Sequence, residues 1–472
     1  MISLFRTLII AIMAAALAAC ATTHKPVDPR TLSFEPLKFT IPKSERITLG
    51  NGMIVYLMED HELPLVNITA YVKTGGLYEL EDRQNIAGLT GAVMRSGGTA
   101  TIPPDQLDAE LEFMASGIET GISGEMGNVS MTTLKKNFDR TLDLFGQVML
   151  TPGFKQDRVD LAINQTLEGL RRQNDDPKGI ANRELGRVLY ANHPFGRVPT
   201  MEMVKKITRD DLVDFHKKYF HPNSVMLAVS GDFVKQEMID ALNRVFGTWQ
   251  KVTTELPKIA DPAPATAQNI LFAKKQVSQS VVRLGHLGVD KSNPDIYAIR
   301  VMDYILGGGF TSRLMQEVRS NQGLAYHAAS RFDIGRSVVG TFIAETETKS
   351  ATTAKTIALM RSIIAGMTTA PVTDQELQLA KDSLINSFIY GFAKADSIVN
   401  QQVRLEYFDY PDGYLENYRD NLAKVTKEDV LRVARKYLHP DALTIVVVGD
   451  DKSFDQPLST FGVVKEIKLE IK

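Results

Sequence analysis

A block of 27 residues occurs twice in this chain. KITRDDLVDFHKKYFHPNSVMLAVSGD runs from Lys206 to Asp232, and KVTKEDVLRVARKYLHPDALTIVVVGD from Lys424 to Asp450. Ten of the 27 positions are identical at a constant offset of 218, among them Tyr219/Tyr437, His221/His439 and Pro222/Pro440. Upstream, Leu161-Ala162 keeps the same register with Leu379-Ala380. A register held that far means duplication of a whole domain, because solenoid repeats recur at periods of roughly 20–50 residues. Whatever the chain folds into, it must build it twice.

The duplication sets the domain boundaries. Residues 251–268 (KVTTELPKIADPAPATAQ) carry three prolines and no apolar periodicity, which marks a linker between domains at 41–250 and 269–472. Residues 21–40 are polar and proline-bearing, as a tether would be. Before them, Arg6, the apolar run Thr7 to Leu17 and the closing Leu17-Ala18-Ala19-Cys20 read as an export signal too short to span a membrane. This segment resembles the lipobox of bacterial lipoproteins, which implies lipidation at Cys20. Ala21, in place of an inner-membrane retention aspartate, implies a periplasmic protein held at the outer membrane. Cys20 is the sole cysteine, so neither an internal disulfide nor a cysteine metal cluster is available. With 54 basic against 56 acidic residues and no basic stripe, a nucleic-acid partner is excluded.

Within the first unit, ERITL and MIVYLMED flank Gly50-Asn51-Gly52 as a hairpin, and a strand LVNITAYVKTG follows. Helical periodicity covers 86–96, 104–116, 138–150 and 156–174, with a strand pair at GIETGISGE and NVSMTTL. The repeated block is a helix, a His-Pro turn and an apolar strand. Strands and helices mix without strict alternation, which predicts an α+β class: in each unit a mixed, mostly antiparallel sheet covered by helices on one face. His221 and His439 are read as structural, since proline drives the residue before it out of helix.

Chemistry is concentrated between Leu306 and Tyr326, LGGGFTSRLMQEVRSNQGLAY. Gly307, Gly308 and Gly309 end an apolar helical run and leave bare backbone that a peptide can approach. Thr311 and Ser312 offer caps for a short helix with Leu314, Met315 and Val318 on one face, ending near Asn321 and Gly323. LAYHAAS then alternates like a strand, so Arg319 and Tyr326 can share one space. Taken alone, such an arginine is usually a solvated helix end and such a tyrosine a rim residue.

Two tandem α+β units, each closing on a His-Pro turn and a V-x-G-D strand, resemble the insulinase/pitrilysin family of zinc metallopeptidases. GGLYEL at 75–80, AGLT…GGT at 87–99, NDDP at 174–177 and NHPFGR at 192–197 fit it as well. The Leu306–Tyr326 stretch is similar to that family's second-domain pattern G-G-x-x-S-S-R-L-x-x-x-[LIV]-R-x-x-x-G-L-A-Y. The resemblance spans residues 41–465 and implies that Arg319 helps hold a peptide substrate while the Tyr326 hydroxyl bonds the scissile carbonyl oxygen.

One departure stands out. Zinc-bearing members of the family place H-x-x-E-H on the first domain's first helix and a glutamate further on, a spacing that lets two imidazoles and a carboxylate hold zinc and activate water. Here that helix reads AGLTGAVMRSGGT, and no H-x-x-E-H occurs among the eight histidines. Gly169, with Glu168 beside it, occupies the third ligand's place. His61-Glu62 is read as a solvated turn. The resemblance therefore implies no metal or cofactor bound by this chain. It implies instead a heterodimer with an H-x-x-E-H-bearing homologous subunit that holds zinc; a non-proteolytic binding or assembly protein is the alternative.

Overall fold

The computed structural model describes residues 39–253, 255–264 and 267–469, so Cys20, the export signal and the tether up to residue 38 lie outside the described residues. Residues 41–472 form one unit. No helix among the described residues is long and apolar enough to cross a membrane.

The hairpin at Gly50-Asn51-Gly52 forms as its turn residues require, with Gly52 at positive φ joining β1 (Glu45–Thr48) to β2 (Ile54–Glu59). With β3 (Leu65–Val72), β4 (Gly117–Ile122), β5 (Gly127–Leu134) and β6 (Val225–Gly231) these strands make a six-stranded sheet in the order β1-β2-β6-β3-β5-β4. Only the β2/β6 pair is parallel. The second half repeats this with β7 (Asn269–Lys274), β8 (Gln279–Leu287), the short β9 (Val289–Asp290), β10 (Ala325–Phe332), the short β11 (Ile334–Gly335), β12 (Thr341–Lys349), β13 (Thr444–Gly449) and β14 (Val464–Glu466). Its order is β10-β12-β8-β13-β7-β14, and β7/β13 is the parallel pair matching β2/β6. The outer place of β1 is taken by β14, which runs parallel to β7.

The principal helices of the first half are α1 (Ile86–Ser96), α2 (Pro104–Phe113), α3 (Phe138–Leu150), α4 (Gln156–Arg171), α5 (Pro177–Leu189), α6 (Arg209–Tyr219) and α7 (Lys235–Phe246). Those of the second are α8 (Ile296–Asp303), α9 (Thr353–Gly366), α10 (Asp374–Tyr390), α11 (Ala395–Tyr407) and α12 (Lys427–Tyr437). The repeated helices α6 and α12 open on matching capping boxes, Thr208/Asp211 and Thr426/Asp429. Helices α4, α5 and α6 each begin 218 residues before α10, α11 and α12.

Each sheet buries one face against its own helices. Val55, Leu57, Val225, Leu227 and Val229 point into a core with Leu142, Phe145 and Leu212; Ile445, Val447 and Leu284 do the same against Ile299, Met302 and Val433. The expectation of helices on one face only is too narrow. β6 is buried along its whole length, so its alternate residues Met226 and Ala228 need a second cover. That cover is α11 from the other half, whose Val399, Val403 and Tyr407 pack on Tyr71, Met226 and Ala228. Reciprocally, Ile180, Ala181, Leu185 and Leu189 of α5 pack on Leu271, Ala273, Val446 and Val448 of the second sheet. Each valine, leucine, isoleucine or methionine among these contributes about 1.5–3 kcal/mol when fully buried. Hydrogen bonds fix the crossings: Tyr407 Oη donates to the Val72 carbonyl (2.9 Å) and Tyr71 Oη to Asn400 Oδ1 (2.8 Å).

Two histidines sit inside these layers. His216 Nε2 donates to the Met149 carbonyl (2.8 Å) and His286 Nδ1 to that of Leu287 (2.7 Å), and burial lowers both from 6.5 to about 4. Between those values the unfolded chain takes up protons at both sites that the folded chain refuses, so stability present above pH 6.5 is lost as pH falls toward 4. The midpoint of thermal unfolding should fall steadily on acidification through this window, with a smaller slope in His216→Asn/His286→Asn; equal slopes would refute the assignment. The helix exchange predicts joint unfolding. Leu185→Ala in α5 should cost about 2–5 kcal/mol. The loss should appear in the fluorescence of Trp249, which packs on the first core, at the same midpoint as in far-ultraviolet circular dichroism. Two separate midpoints would show independent halves.

Candidate functional site

The stretch from Leu306 to Tyr326 departs from regular structure twice. Helix α8 widens into a π-helical turn over Tyr304–Gly308, and a second π turn covers Met315–Asn321. The second ends in wide closures, Gln322 N to Glu317 O (3.1 Å) and Leu324 N to Val318 O (2.9 Å), with Gly323 at positive φ. Arg319 lies in this widened turn. The strand that follows starts on a bulge: Ala325 pairs with Thr348, but pairing resumes only at Ala328 with Thr346. Tyr326 and His327 are consecutive and both exposed, where regular pleating would send them to opposite faces.

The two irregularities bring the predicted pair together. The Arg319 guanidinium lies 4.8 Å from the centroid of the Tyr326 ring and 5.4 Å from that of Phe310. Tyr326 is 84% exposed and Phe310 72%, so the arginine lies close to two aromatic rings that face solvent. Phe310 was missed from sequence, although an aromatic directly after three glycines and outside the helical stripe was a usable signal. The loop is tied down by Arg313, whose Nε and Nη2 reach the two carboxylate oxygens of Glu376 at 2.7 and 3.0 Å. Neither Thr311 nor Ser312 caps the helix through its side chain, and the buried Ser312 hydroxyl finds no partner among the described residues.

The glycines divide in role. A Cβ on Gly307 would lie 2.1 Å from Ser330 N, and one on Gly309 would lie 2.7 Å from the Tyr304 ring. Their bare backbone is therefore approached by this chain itself, correcting the expectation of three open glycines. Gly308 alone of the three is exposed.

Around α1 the family-like motifs build scaffold. The Glu79 carboxylate accepts from Asn85 N (3.0 Å) and Ala87 N (2.6 Å) at the helix start, and Arg197 Nη1 donates to the Glu79 carbonyl (3.1 Å). Burial pushes the Glu79 carboxyl up, against those two hydrogen bonds. NDDP is a cap: Asp176 accepts from Lys178 N and Gly179 N ahead of Pro177. Along α1, Gly91 presses on β4 so closely that a Cβ would meet Ile122 N at 2.4 Å. Ala87, Leu89, Val93 and Met94 fill the rest of its buried face. Glu168 is engaged by Arg171 (3.2 Å) and Arg172 (2.6 Å), which hold it below the usual carboxylate range, and nothing lies within 4 Å of a Cβ on Gly169. His61 pairs with Asp232 at 2.7 Å on the surface. Among the described residues no group of three histidine, cysteine or carboxylate side chains is placed to hold a metal. The donor set at this position does not fit zinc.

Comparison with known proteins agrees with this geometry. The model described as Insulinase (Peptidase family M16) matches residues 54–201, and that described as Peptidase M16 inactive domain matches residues 206–384. The chain belongs to the insulinase family, M16. Its two halves are M16 domains, each a mixed sheet with helices. The chain is similar to a non-peptidase homolog YmxG of Helicobacter pylori, 24% identical over 84% of this chain and 91% of that protein. It is also similar to zinc protease PqqE of the same organism, 23% identical over 86% and 93%. A crystal structure of a peptidase M16 inactive domain from Pseudomonas fluorescens superposes with a TM-score of 0.79 at 28% identity, covering 86% of this chain and 98% of that one.

The M16 loop geometry makes a direct prediction. Gly307→Ala should be strongly destabilising, by about 1–3 kcal/mol or more, because backbone and not a flexible side chain stands in the way. Gly308→Ala, whose Cβ would meet its nearest atom at 3.3 Å, should cost far less. Chemical denaturation of the two variants compares them, and equal losses would overturn the division of roles.

Proposed function

We propose that this chain is the zinc-less subunit of a two-chain M16 endopeptidase, closing on an H-x-x-E-H-bearing homologous partner and contributing Arg319 and Tyr326 to a shared site. The observation that carries this reading is the Phe310/Arg319/Tyr326 cluster, whose rings are exposed, whose loop is tied down by the Arg313–Glu376 bridge, and which has no metal-holding group beside it among the described residues. Arg319 would hold the peptide and the Tyr326 hydroxyl would donate to the scissile carbonyl oxygen as negative charge develops there. The zinc that activates water would belong to the partner. The glycine-bearing edge strand β4, with open space at the Cβ positions of Gly117 and Gly121, suits pairing with an extended peptide. That Helicobacter pylori carries both a relative named non-peptidase homolog and one named zinc protease fits a division of labour between two such chains.

The export signal closing on Cys20 supports placing the pair in the periplasm, with this chain lipid-anchored at the outer membrane. The second reading is a peptide-binding or assembly protein without proteolysis; the packing of α1 against β4, which leaves no room for a side chain at Gly91, fits both readings.

The mature chain, assayed alone and mixed with the H-x-x-E-H homologue from its own genome, should cleave peptides only in the mixture, and a zinc chelator should abolish that activity. Tyr326→Phe should lower kcat by about 10²–10³, the magnitude of a lost oxyanion donor, while leaving thermal stability within about 0.5 kcal/mol. A mixture that forms a stable complex yet cleaves nothing would transfer the assignment to the binding protein, and unchanged cleavage by Tyr326→Phe would remove the tyrosine's role.

A further inference from the structure

A cleft of about 610 Å³ opens beside the glycine loop, on the side away from the Arg319/Tyr326 stack along β10. Its walls come from both ends of the second half: Arg300 and Asp303 of α8, Gly308, Arg331 of β10, Arg336 after β11, and Arg404 of α11. Four arginines in one cleft require an accounting of charge. Arg331 is neutralised by Asp333, with Nε 2.6 Å from the carboxylate. The cleft's other acids are committed too. Glu345 pairs with the buried Arg283 (3.2 Å), and Asp303, desolvated and pushed above the usual carboxylate range, accepts from the Ser330 hydroxyl (2.6 Å).

Of the remaining cations, Arg300 and Arg404 have no carboxylate partner among the described residues. Arg300 reaches the Tyr414 hydroxyl (3.4 Å) and lies 5.7 Å from the Tyr418 ring centroid, while its buried Nε has no hydrogen-bond partner among the described residues. Arg336 stacks on Phe408 at 5.0 Å and stands 3.8 Å from Glu125. Arg404 is exposed and makes no ion pair among the described residues. A buried guanidinium nitrogen without an acceptor is costly to leave so, and an anion entering the cleft would supply one.

We propose that this cleft is a carboxylate-binding subsite that takes an acid group of a peptide lying along β10. The proposal rests on the peptide-binding reading above. Tyr326 and Arg331 are five residues apart on that strand, at most roughly 17 Å at about 3.4 Å per residue, the bulge taking up part of that length. A peptide whose reacting carbonyl sits at Tyr326 thus brings a carboxylate about five residues away into reach of Arg404, Arg336 and Arg300. The site favours peptides ending, or carrying an acidic residue, at that distance.

Direct binding to the purified chain alone, with no partner and no zinc, tests the subsite separately from proteolysis. Three fluorescein-labelled peptides differ only at the end: a free carboxylate, an amide, and an amide preceded by glutamate. The free acid should bind about tenfold more tightly than the plain amide. Arg404→Gln, at an exposed position, should remove most of that preference without altering the affinity of the amide, and Arg336→Gln should reduce it. If the glutamate-bearing amide equals the free acid, a side-chain carboxylate is accepted; if only the free acid gains, the site reads a C-terminus. Equal binding of acid and amide, or a preference that survives Arg404→Gln, overturns the subsite while leaving peptide binding intact. Failure of every peptide to bind, both to this chain alone and to its chelator-treated complex with the partner, overturns the peptide-binding reading and this subsite with it.

Discussion

The fold depends on an exchange of helices. Neither sheet can cover its second apolar face from its own sequence, because β6 and β13 are buried on both sides and each half has only one layer of its own helices. Helix α5 leaves the first half to cover the second sheet, and α11 returns the favour. Duplication makes this economical: one ancestral helix, set 218 residues apart in two copies, seals both sheets and clamps the halves together. Relative motion of the halves would have to slide these apolar contacts, so the cleft and the loop beside it are held at fixed geometry without a ligand.

This constraint explains which parts of the architecture were legible from sequence. The α+β class and the duplicated halves could be read from the repeated block and from strand alternation, and Ile86–Ser96 and Phe138–Leu150 form helices at their predicted bounds. The destination of α5 could not be read. Its Ile180, Ala181, Leu185 and Leu189 make an ordinary amphipathic stripe, and nothing in periodicity says which sheet a stripe will meet. One hint was available: VMLAVSG is apolar at nearly every position, the signature of a strand with no wet face.

The candidate site was legible in composition and illegible in shape. Arg319 and Tyr326 were singled out from helix-then-strand spacing and then by resemblance, yet that spacing alone does not bring the guanidinium onto the ring. They stack because a π turn and a β-bulge each insert about one residue of extra backbone, turning Arg319 and Tyr326 toward each other across Gly323. Insertions of this kind leave no periodic trace. The same holds for Gly307, where the glycine was read as an opening for a substrate and serves as the contact point of a π turn with β10. The cleft arginines were equally hidden, since Arg300, Arg331, Arg336 and Arg404 come from four segments that only the folded chain brings together.

The electrostatics of the stack bear on why such a site would be divided between two chains. A guanidinium lying against two exposed rings is held in orientation at little entropic cost, but in water even its attraction for a full unit charge is screened to about 1 kcal/mol at about 4 Å. The same group under an opposing protein surface acts in a medium of lower effective dielectric, where the interaction grows several-fold. Under the proposed role, an exposed Arg319/Tyr326 pair would be a weak site in the isolated chain and a stronger one once covered. The loss of zinc ligands from α1 and the exposure of the pair are consistent with one arrangement: chemistry that develops only when a second surface closes over Phe310, Arg319 and Tyr326.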